Sequence, residues 1–216
     1  ATGSRWRADG VGRSHHRPLP GFAGVNAFSP DDIMEGRLPA QGPVVVYDDD
    51  NFYMGSLIAE RLAHAGLEVT LVTADDVVAA WTSNTLEVLH INKQLRHLGI
   101  TVVTAHDVAG FDGAQVRLAS VYGEPDRSIS AKSVVGVTSR IPEEALYHDL
   151  QANTAALAAA GIKSVTRIGD CLAPGFIAHA VYGGHRFARE LDTSSSEAVP
   201  FKRVVYSEWQ RAEAPL

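Results

Sequence analysis

Several residue types that mark particular protein classes are scarce in this sequence. Its 216 residues include four lysines, two methionines and one cysteine, Cys171. A single cysteine allows neither an internal disulfide nor a cluster of metal-binding thiolates, which is typical of a reducing compartment, and we expect the cytoplasm. The nine histidines show no spacing of a zinc site. We therefore predict no metal site and no catalytic side chain in this chain.

Long apolar runs are also missing. The longest, such as 44–46, extend over a few residues, whereas a transmembrane helix needs roughly 20. The arginines near the start of the chain are followed by no apolar stretch, so the sequence predicts neither a membrane span nor a secretory signal. The net charge is −6 and the 19 Lys and Arg residues are scattered, which argues against nucleic acid as a partner.

What the chain does contain is a regular alternation of strand and helix patterns. A β-branched run at 43–47 predicts a strand, an apolar period of 3.6 at 54–65 predicts a helix, and 67–73 predicts a second strand. The alternation continues with a helix at 84–98 and a strand at 100–104. Strands joined by a helix lie parallel in one sheet, so the predicted fold class is α/β.

The remaining segments carry weaker patterns. Only one short helix is expected within 4–41, beginning after Ser29 and ending at Gly36. The later predicted elements are strands at 114–122 and 128–138 joined by a turn, a helix at 143–160, a strand at 164–168 and a helix at 175–191. The last helix has an apolar face suited to packing on a sheet.

The turn between the first strand and helix lies where dinucleotide-binding domains carry a Gly-x-Gly-x-x-Gly loop. Gly55 takes the third glycine position, but Asp50 and Phe52 take the first two. A carboxylate and a phenyl ring oppose the approach of a pyrophosphate by charge and by bulk. Thr73 ends the second strand, where an acidic residue would bind a ribose hydroxyl. We interpret this unit as a nucleotide-binding scaffold that has lost its site.

The acidic run 48–50 allows a second interpretation. Carboxylates at the end of a parallel strand could hold Mg²⁺, as in the receiver domains of response regulators, which the segment resembles. Asp107 and Lys132 then imitate the acceptor aspartate and the lysine of that family. The alternative is a solvated acidic turn.

The pair Gly169-Asp170 is a candidate ligand site. It follows a predicted strand and precedes a predicted helix, whose first N–H groups and dipole favour an anion such as a diphosphate. Gly169 would allow close approach, and Asp170 could accept a hydrogen bond from a sugar hydroxyl. A carboxylate that merely caps the helix is the other interpretation.

Four short motifs occur along the chain in a characteristic order. They are ATGSRW (1–6), DDDNFYMG (48–55), WTSNTLE (81–87) and IGDCLAP (168–174). Together they resemble the C-terminal portion of the trimethylamine, dimethylamine and histamine dehydrogenase family, flavin and iron–sulfur oxidoreductases related to old yellow enzyme and dienoyl-CoA reductase.

This resemblance implies a domain plan. Residues 1–42 and 139–216 would form part of an FAD/ADP-binding-type domain with a C-terminal tail, interrupted by a Rossmann-like three-layer, NAD-binding-like domain at 43–138. The resemblance implies that Thr2, Gly3, Gly169 and Asp170 line a pocket for ADP or FAD. FMN and a four-iron cluster would belong to a barrel domain outside this chain.

The resemblance also implies a role and partners. The chain would be a structural and cofactor-binding scaffold of an amine dehydrogenase, contacting the barrel domain, with the tail at 199–206 reaching another subunit of a homo-oligomer and an electron-transfer protein as a further partner. Two alternatives remain open, a non-catalytic nucleotide-binding or interaction module and a receiver-like phosphoacceptor domain. Because the first strand and helix of the interrupted domain would lie outside these residues, we expect the apolar face of 175–191 to be exposed.

Overall fold

A computed structural model describes residues 2–191. The strands are β1 (Ser4–Trp6), β2 (Ala27–Phe28), β3 (Val44–Asp48), β4 (Val69–Val72), β5 (Thr101–Val103), β6 (His106–Phe111), β7 (Gln115–Ser120), β8 (Arg127–Ser130), β9 (Ser133–Val137) and β10 (Arg140–Pro142). The α-helices are α1 (Pro30–Met34), α2 (Tyr53–His64), α3 (Val88–His97), α4 (Ala145–Ala152), α5 (Thr154–Ala159) and α6 (Ile177–Glu190), and 3₁₀ helices occupy Ala80–Thr85 and Gly169–Cys171.

A five-stranded parallel sheet forms the centre, in the order β2-β9-β3-β4-β5. Strand β3 is buried along its whole length, as its near-continuous run of apolar residues predicts for a strand covered on both faces. The α/β fold class predicted from the sequence is confirmed. The β2 strand and α1, which precede residue 43, join this sheet and its core, and the proposed division into 1–42, 43–138 and 139–216 stays a prediction.

Three layers enclose two apolar cores. On one face of the parallel sheet, helices α2 and α3 contribute Ile58, Leu62 and Leu95 to a core shared with alternate residues of the strands. On the other face, an antiparallel sheet of order β6-β7-β8 contributes Val108, Val116 and Leu118 to the second core. Because a sheet covers the second face, the layer order is helix, parallel sheet, antiparallel sheet.

The single strand predicted at 128–138 is wrong, since it consists of two strands in different sheets. The chain leaves the antiparallel sheet at Ala131, whose N–H donates to Ala114 O at 2.9 Å. The next residue, Lys132, already donates to Pro43 O beside the parallel sheet, at 2.7 Å. The predicted hairpin itself is present as the antiparallel pair β7–β8, but β6 was not predicted.

The helix predicted at 143–160 is also divided. Asn153 leaves helical geometry, with φ −109° and ψ 56°, and its side chain accepts a hydrogen bond from Ala156 N at 3.2 Å. Asparagine is favoured in this capping position, because it satisfies an N–H that lacks a partner within the helix. The predicted strand at 164–168 pairs with no strand among residues 2–191, so it is not a strand there, although Ile168 at its end has extended backbone angles.

Helix α6 lies at the surface. Its sequence suits packing on a sheet, but none of its residues is buried, and Ile177 is 84% exposed while Val181 is 55% exposed. The expected exposure of this face is therefore confirmed. The predicted tail at 199–206 lies outside the described residues.

Candidate nucleotide site and the degenerate glycine loop

A buried polar network lies at the carboxyl ends of β3 and β4. Asp48 is fully buried at the end of β3, and its Oδ1 accepts a hydrogen bond from Asn51 N at 2.9 Å. The Asn51 side chain in turn accepts a hydrogen bond from the Thr73 hydroxyl at 2.8 Å. Thr73, at the end of the neighbouring strand, therefore holds the loop after β3 by this hydrogen bond. In a dinucleotide-binding domain, an acidic residue at this position would bind a ribose hydroxyl.

Gly55 packs directly against Asp48. A Cβ atom at residue 55 would lie 2.3 Å from Asp48 Cγ, a distance that no packed side chain tolerates. Burial raises the pKa of Asp48 to about 7, with a contribution from the charge of Asp50, while the Asn51 N–H bond opposes the shift. In a dinucleotide-binding loop the third glycine permits close packing. Here the group that lies directly against that glycine, Gly55, is the carboxyl group of Asp48.

The three consecutive aspartates point in different directions. Asp49 accepts a hydrogen bond from the Ser14 hydroxyl at 2.6 Å, and Asp50 Oδ1 lies 3.9 Å from an Nη atom of Arg140. Over residues 2–191, no three His, Cys, Asp or Glu side chains converge as metal ligands. The carboxylates of 48–50 anchor three parts of the chain.

The receiver-like arrangement is not formed. Asp107 lies on β6 of the antiparallel sheet, where it accepts a hydrogen bond from the Tyr47 hydroxyl and lies 3.0 Å from His15 Nε2. Lys132 immediately precedes β9, so it lies at the amino edge of the parallel sheet, opposite Asp48. A phosphoacceptor site needs these groups at one edge, and the receiver interpretation is therefore wrong.

Phe52 contacts the segment that leads into α6. Its ring centroid lies 4.2 Å from that of Phe176, with the ring planes 38° apart, and 4.2 Å from that of Tyr53. Phe176 immediately precedes Ile177, the first residue of α6. Phe52, which takes the place of a glycine in the Gly-x-Gly-x-x-Gly loop, therefore contacts the residue that leads into α6.

Arg140 joins the glycine-loop region to the predicted nucleotide site, a role that sequence reasoning missed. One Nη atom donates to Gly175 O at 3.0 Å and lies 3.7 Å from Asp170 Oδ2, and the guanidinium stacks 5.1 Å from the centre of the Trp6 ring. Burial raises the pKa of Asp50, and the positive charge of Arg140 opposes that rise. The signal in the sequence that could have suggested this role is the acidic run 48–50, whose charges no neighbouring basic residue balances.

Gly169 turns the chain between the segment 164–168 and α6. Its φ of +68° is in the left-handed region that favours glycine. A Cβ atom here would lie 4.0 Å from Ala180 Cβ, and one on Gly183 would lie 3.7 Å from Gly169 N. Residues 180 and 183 of α6 therefore face this turn at ordinary van der Waals distance.

The structure brings the amino-terminal motif next to Asp170. Asp170 Oδ1 accepts a hydrogen bond from Gly175 N at 3.2 Å, and Oδ2 accepts one from the Ser4 hydroxyl at 3.4 Å. The preceding residues are anchored on Glu143, whose carbonyl accepts from the Thr2 hydroxyl and whose N–H donates to Gly3 O at 3.0 Å.

A cavity of about 120 Å³ lies beside these residues, lined by Thr2, Cys171, the segment 165–168 and residues of α4. It is smaller than the roughly 300–1,000 Å³ of pockets that enclose a small organic ligand. These contacts make neighbours of the four predicted site residues, Thr2, Gly3, Gly169 and Asp170. The Asp170 carboxylate among them also has the structural partners Ser4 and Gly175.

No helix within 2–191 is long and apolar enough to cross a membrane.

Comparisons with known proteins agree on one family. A family model described as OYE-like second alpha/beta domain matches residues 28–151. Dimethylamine dehydrogenase of Hyphomicrobium sp. (strain x) is 31% identical over 224 aligned positions, covering 94% of this chain and 30% of the relative.

Two solved structures are similar over most of the chain. Histamine dehydrogenase from Rhizobium sp. 4-9 is 43% identical with a TM-score of 0.85, covering 95% of this chain and 32% of that one. 6-Hydroxypseudooxynicotine amine oxidase from Pseudomonas geniculata N1 is 40% identical with a TM-score of 0.83, covering 89% and 28%.

The chain spans about a third or less of the length of these relatives. The family resemblance predicted from the four motifs is confirmed, and the chain belongs to the OYE-like second alpha/beta domain family, in the part of it that includes the amine dehydrogenases.

Proposed function

We propose that this chain is the nucleotide-binding-type region of a flavin-dependent amine dehydrogenase, in which it holds ADP or the ADP part of FAD and contributes no catalytic side chain. The observation that carries the proposal is the turn at Gly169 and Asp170, which presents a carboxylate beside the motif at 2–4 and next to the residues that lead into α6. A sugar hydroxyl would donate to Asp170.

Asp170 retains capacity for such a ligand. An ionised carboxylate offers about four acceptor positions. Gly175 N and the Ser4 hydroxyl use two of them, and Arg140 lies at 3.7 Å, a distance too long for a direct hydrogen bond. The residues present therefore fit one end of a nucleotide.

The adjoining cavity, at about 120 Å³, is too small for a whole nucleotide. We infer that the other walls, including the segment that would bind the pyrophosphate, come from polypeptide outside this chain, because the relatives are about three times longer. The redox groups of the longer protein, FMN and a four-iron cluster, would lie in its barrel domain. The exposed apolar face of α6 is a surface on which the preceding strand and helix would pack.

The test is Asp170→Ala in the full-length polypeptide. Loss of one charge-assisted hydrogen bond, worth about 1.5–3 kcal/mol, should weaken ADP or FAD binding by one to two orders of magnitude. Isothermal titration measures the affinity. The rate of amine oxidation should stay close to normal, because in this proposal the amine is oxidised in the barrel domain and not at Asp170.

Asp126→Ala serves as the matched control, because Asp126 is an exposed carboxylate in the turn before β8. The proposal fails if nucleotide affinity is equal in Asp170→Ala and in the control. It also fails if Asp170→Ala abolishes flavin reduction while the nucleotide stays bound, since Asp170 would then take part in the chemistry.

A non-catalytic nucleotide-binding or interaction module is the second candidate. It would keep the same Asp170 turn but belong to a protein without amine oxidation. The identities of 40% and 43% to an amine oxidase and a histamine dehydrogenase favour the first proposal.

A further inference from the structure

One face of the small antiparallel sheet formed by β1 and β10 is turned toward Asp170. Trp6 lies directly opposite Arg140 in this pair of strands, and Ser4 lies two residues before Trp6 on β1. Side chains two residues apart in a strand share a face, so the side chains of Ser4, Trp6 and Arg140 lie on one side of the sheet. The Ser4 hydroxyl donates to Asp170 Oδ2 at 3.4 Å, which identifies this side as the one that faces the candidate nucleotide site.

Arg140 lies between two carboxylates from different parts of the chain. One of its Nη atoms is 3.7 Å from Asp170 Oδ2, and the other is 3.9 Å from Asp50 Oδ1. These distances are too long for direct hydrogen bonds, but the three side chains are mostly shielded from water, so their charges interact strongly. Within residues 2–191, no other cationic side chain lies within ion-pair distance of either carboxylate.

The guanidinium of Arg140 is held in this position by two neutral partners. It donates to Gly175 O at 3.0 Å and stacks 5.1 Å from the centre of the Trp6 ring. A planar guanidinium suits both contacts, which fix its orientation without neutralising its charge. The positive charge is therefore kept beside Asp50 and Asp170 before any ligand binds.

This charge affects a nucleotide and a nucleoside differently. Asp50 and Asp170 carry two formal negative charges, and Arg140 offsets one of them. In a nucleotide the phosphate groups lie only a few bonds from the sugar hydroxyls, so a ligand whose sugar binds Asp170 brings further negative charge to the same region. Without Arg140, both carboxylates would repel those phosphates, whereas an uncharged nucleoside would not be repelled.

We propose that Arg140 is a specificity-determining residue of the nucleotide site, an inference that rests on the function proposed above. By offsetting the charge of Asp50 and Asp170, it allows a ligand with phosphate groups to bind at Asp170. In the competing explanation, Arg140 only fastens Gly175 ahead of α6. That structural role would affect every ligand of the site equally, because it has no dependence on the ligand's charge.

The experiment compares two probes, ADP and its uncharged counterpart adenosine, by isothermal titration of the nucleotide-free full-length protein. Arg140→Met keeps an unbranched apolar stem beside Trp6 but removes the charge. We expect it to lower the ratio of ADP affinity to adenosine affinity about tenfold, because only ADP is repelled by the two unbalanced carboxylates. Arg140→Lys keeps the charge and should keep this ratio close to that of the wild type.

Asp50→Asn tests the same balance from the other side. It removes one negative charge while Arg140 stays in place, so it should raise the ratio of ADP affinity to adenosine affinity a few-fold. This variant remains informative even if Arg140→Met does not fold. Arg127→Met is the matched control, the same substitution at an exposed arginine of β8, and should leave both affinities unchanged.

The proposal is overturned if Arg140→Met weakens ADP and adenosine by the same factor, since Arg140 would then only fasten the segment before α6. It is also overturned if Asp50→Asn leaves the affinity ratio unchanged or lowers it. A wild-type ADP affinity in Arg140→Met, combined with a loss in Asp170→Ala, would overturn this proposal and leave the nucleotide-binding role standing. A wild-type ADP affinity in Asp170→Ala would overturn both.

Discussion

The ring of Phe52, in the loop after β3, packs on the ring of Phe176, immediately before α6, with 4.2 Å between the centroids. Phe52 stands where a nucleotide-binding loop has a glycine. The side chain that we expect to oppose a pyrophosphate is therefore also the side chain that contacts the residue before α6. A second link runs in parallel, because Arg140 lies between Asp50 and Asp170.

Removing the Phe52 ring should loosen α6. Phe52→Ala deletes an aromatic contact worth about 0.5–1.5 kcal/mol beyond the area that it buries. We expect faster hydrogen exchange in 177–190, measured by mass spectrometry, and no change in β3, which is buried independently of this contact. Tyr182→Ala removes an exposed ring from α6 and should have little effect. Equal exchange in Phe52→Ala and wild type would contradict the docking role.

The degenerate loop should not bind NADH. Asp50 and Phe52 oppose a pyrophosphate, and the Asp48 carboxyl already occupies the space beside Gly55. Calorimetric titration with NADH in the presence of saturating ADP, which would fill the proposed second site, should show no micromolar binding. Micromolar affinity under these conditions would overturn the interpretation of the loop.

Gly55→Ala should destabilise the protein by about 1–3 kcal/mol, because its Cβ would lie 2.3 Å from Asp48 Cγ and the packed sheet can yield only by shifting backbone. In the Asp48→Gly background the obstacle is gone, and the cost of Gly55→Ala should shrink. Thermal unfolding of the four proteins in this double-mutant cycle measures the coupling.

Gly184→Ala is the matched control for that cycle. A Cβ at residue 184 meets nothing within 4 Å, and an alanine inside α6 should be neutral or stabilising by up to about 1 kcal/mol. If Gly55→Ala costs the same in both backgrounds, Asp48 is not the group that requires the glycine.

Asp48 should make the central sheet less stable as the pH rises. Its pKa in the folded protein is raised to about 7 by burial, above the value near 4 of an unfolded aspartate. Between about pH 4 and pH 7 the folded state binds more protons than the unfolded state, so the free energy of unfolding falls with increasing pH, by at most about 1.4 kcal/mol per unit. Above pH 7 this contribution becomes constant.

Hydrogen exchange of 44–48 at pH 5, 6, 7 and 8, corrected for the intrinsic pH dependence of exchange, measures this effect. Asp48→Asn keeps an acceptor for Asn51 N but cannot ionise, so its protection should change less over that range. Parallel pH profiles in the two proteins would show that another group is responsible.

Much of the central sheet could be predicted from the sequence alone. The β-branched run before Gly55 and the apolar period of 54–65 are local patterns, and they determined a parallel α/β unit because a helix between two strands leaves few other arrangements. The exposed apolar face of α6 followed from its period together with the family resemblance. The Gly169-Asp170 turn was identified from its neighbours in sequence.

Other features depended on partners far away in the chain. The break between β8 and β9 arises because Ala131 donates to the residue before β7 and Lys132 to the residue before β3, in different sheets, and no local pattern specifies that change of partner. The segment 164–168 has strand-like residues, but a strand also needs a neighbour to pair with, and none of the residues from 2 to 191 provides one.

The roles of the aspartates and of Phe52 were likewise decided by tertiary structure. The sequence by itself determined that the glycine loop is degenerate, since charge and size are properties of the residues in place. It could not determine that Asp50 faces Arg140 or that Phe52 contacts Phe176, because those partners lie 90 and 124 residues away along the chain. Side-chain chemistry is encoded locally, whereas a contact between distant residues exists only once the packed layers bring them together.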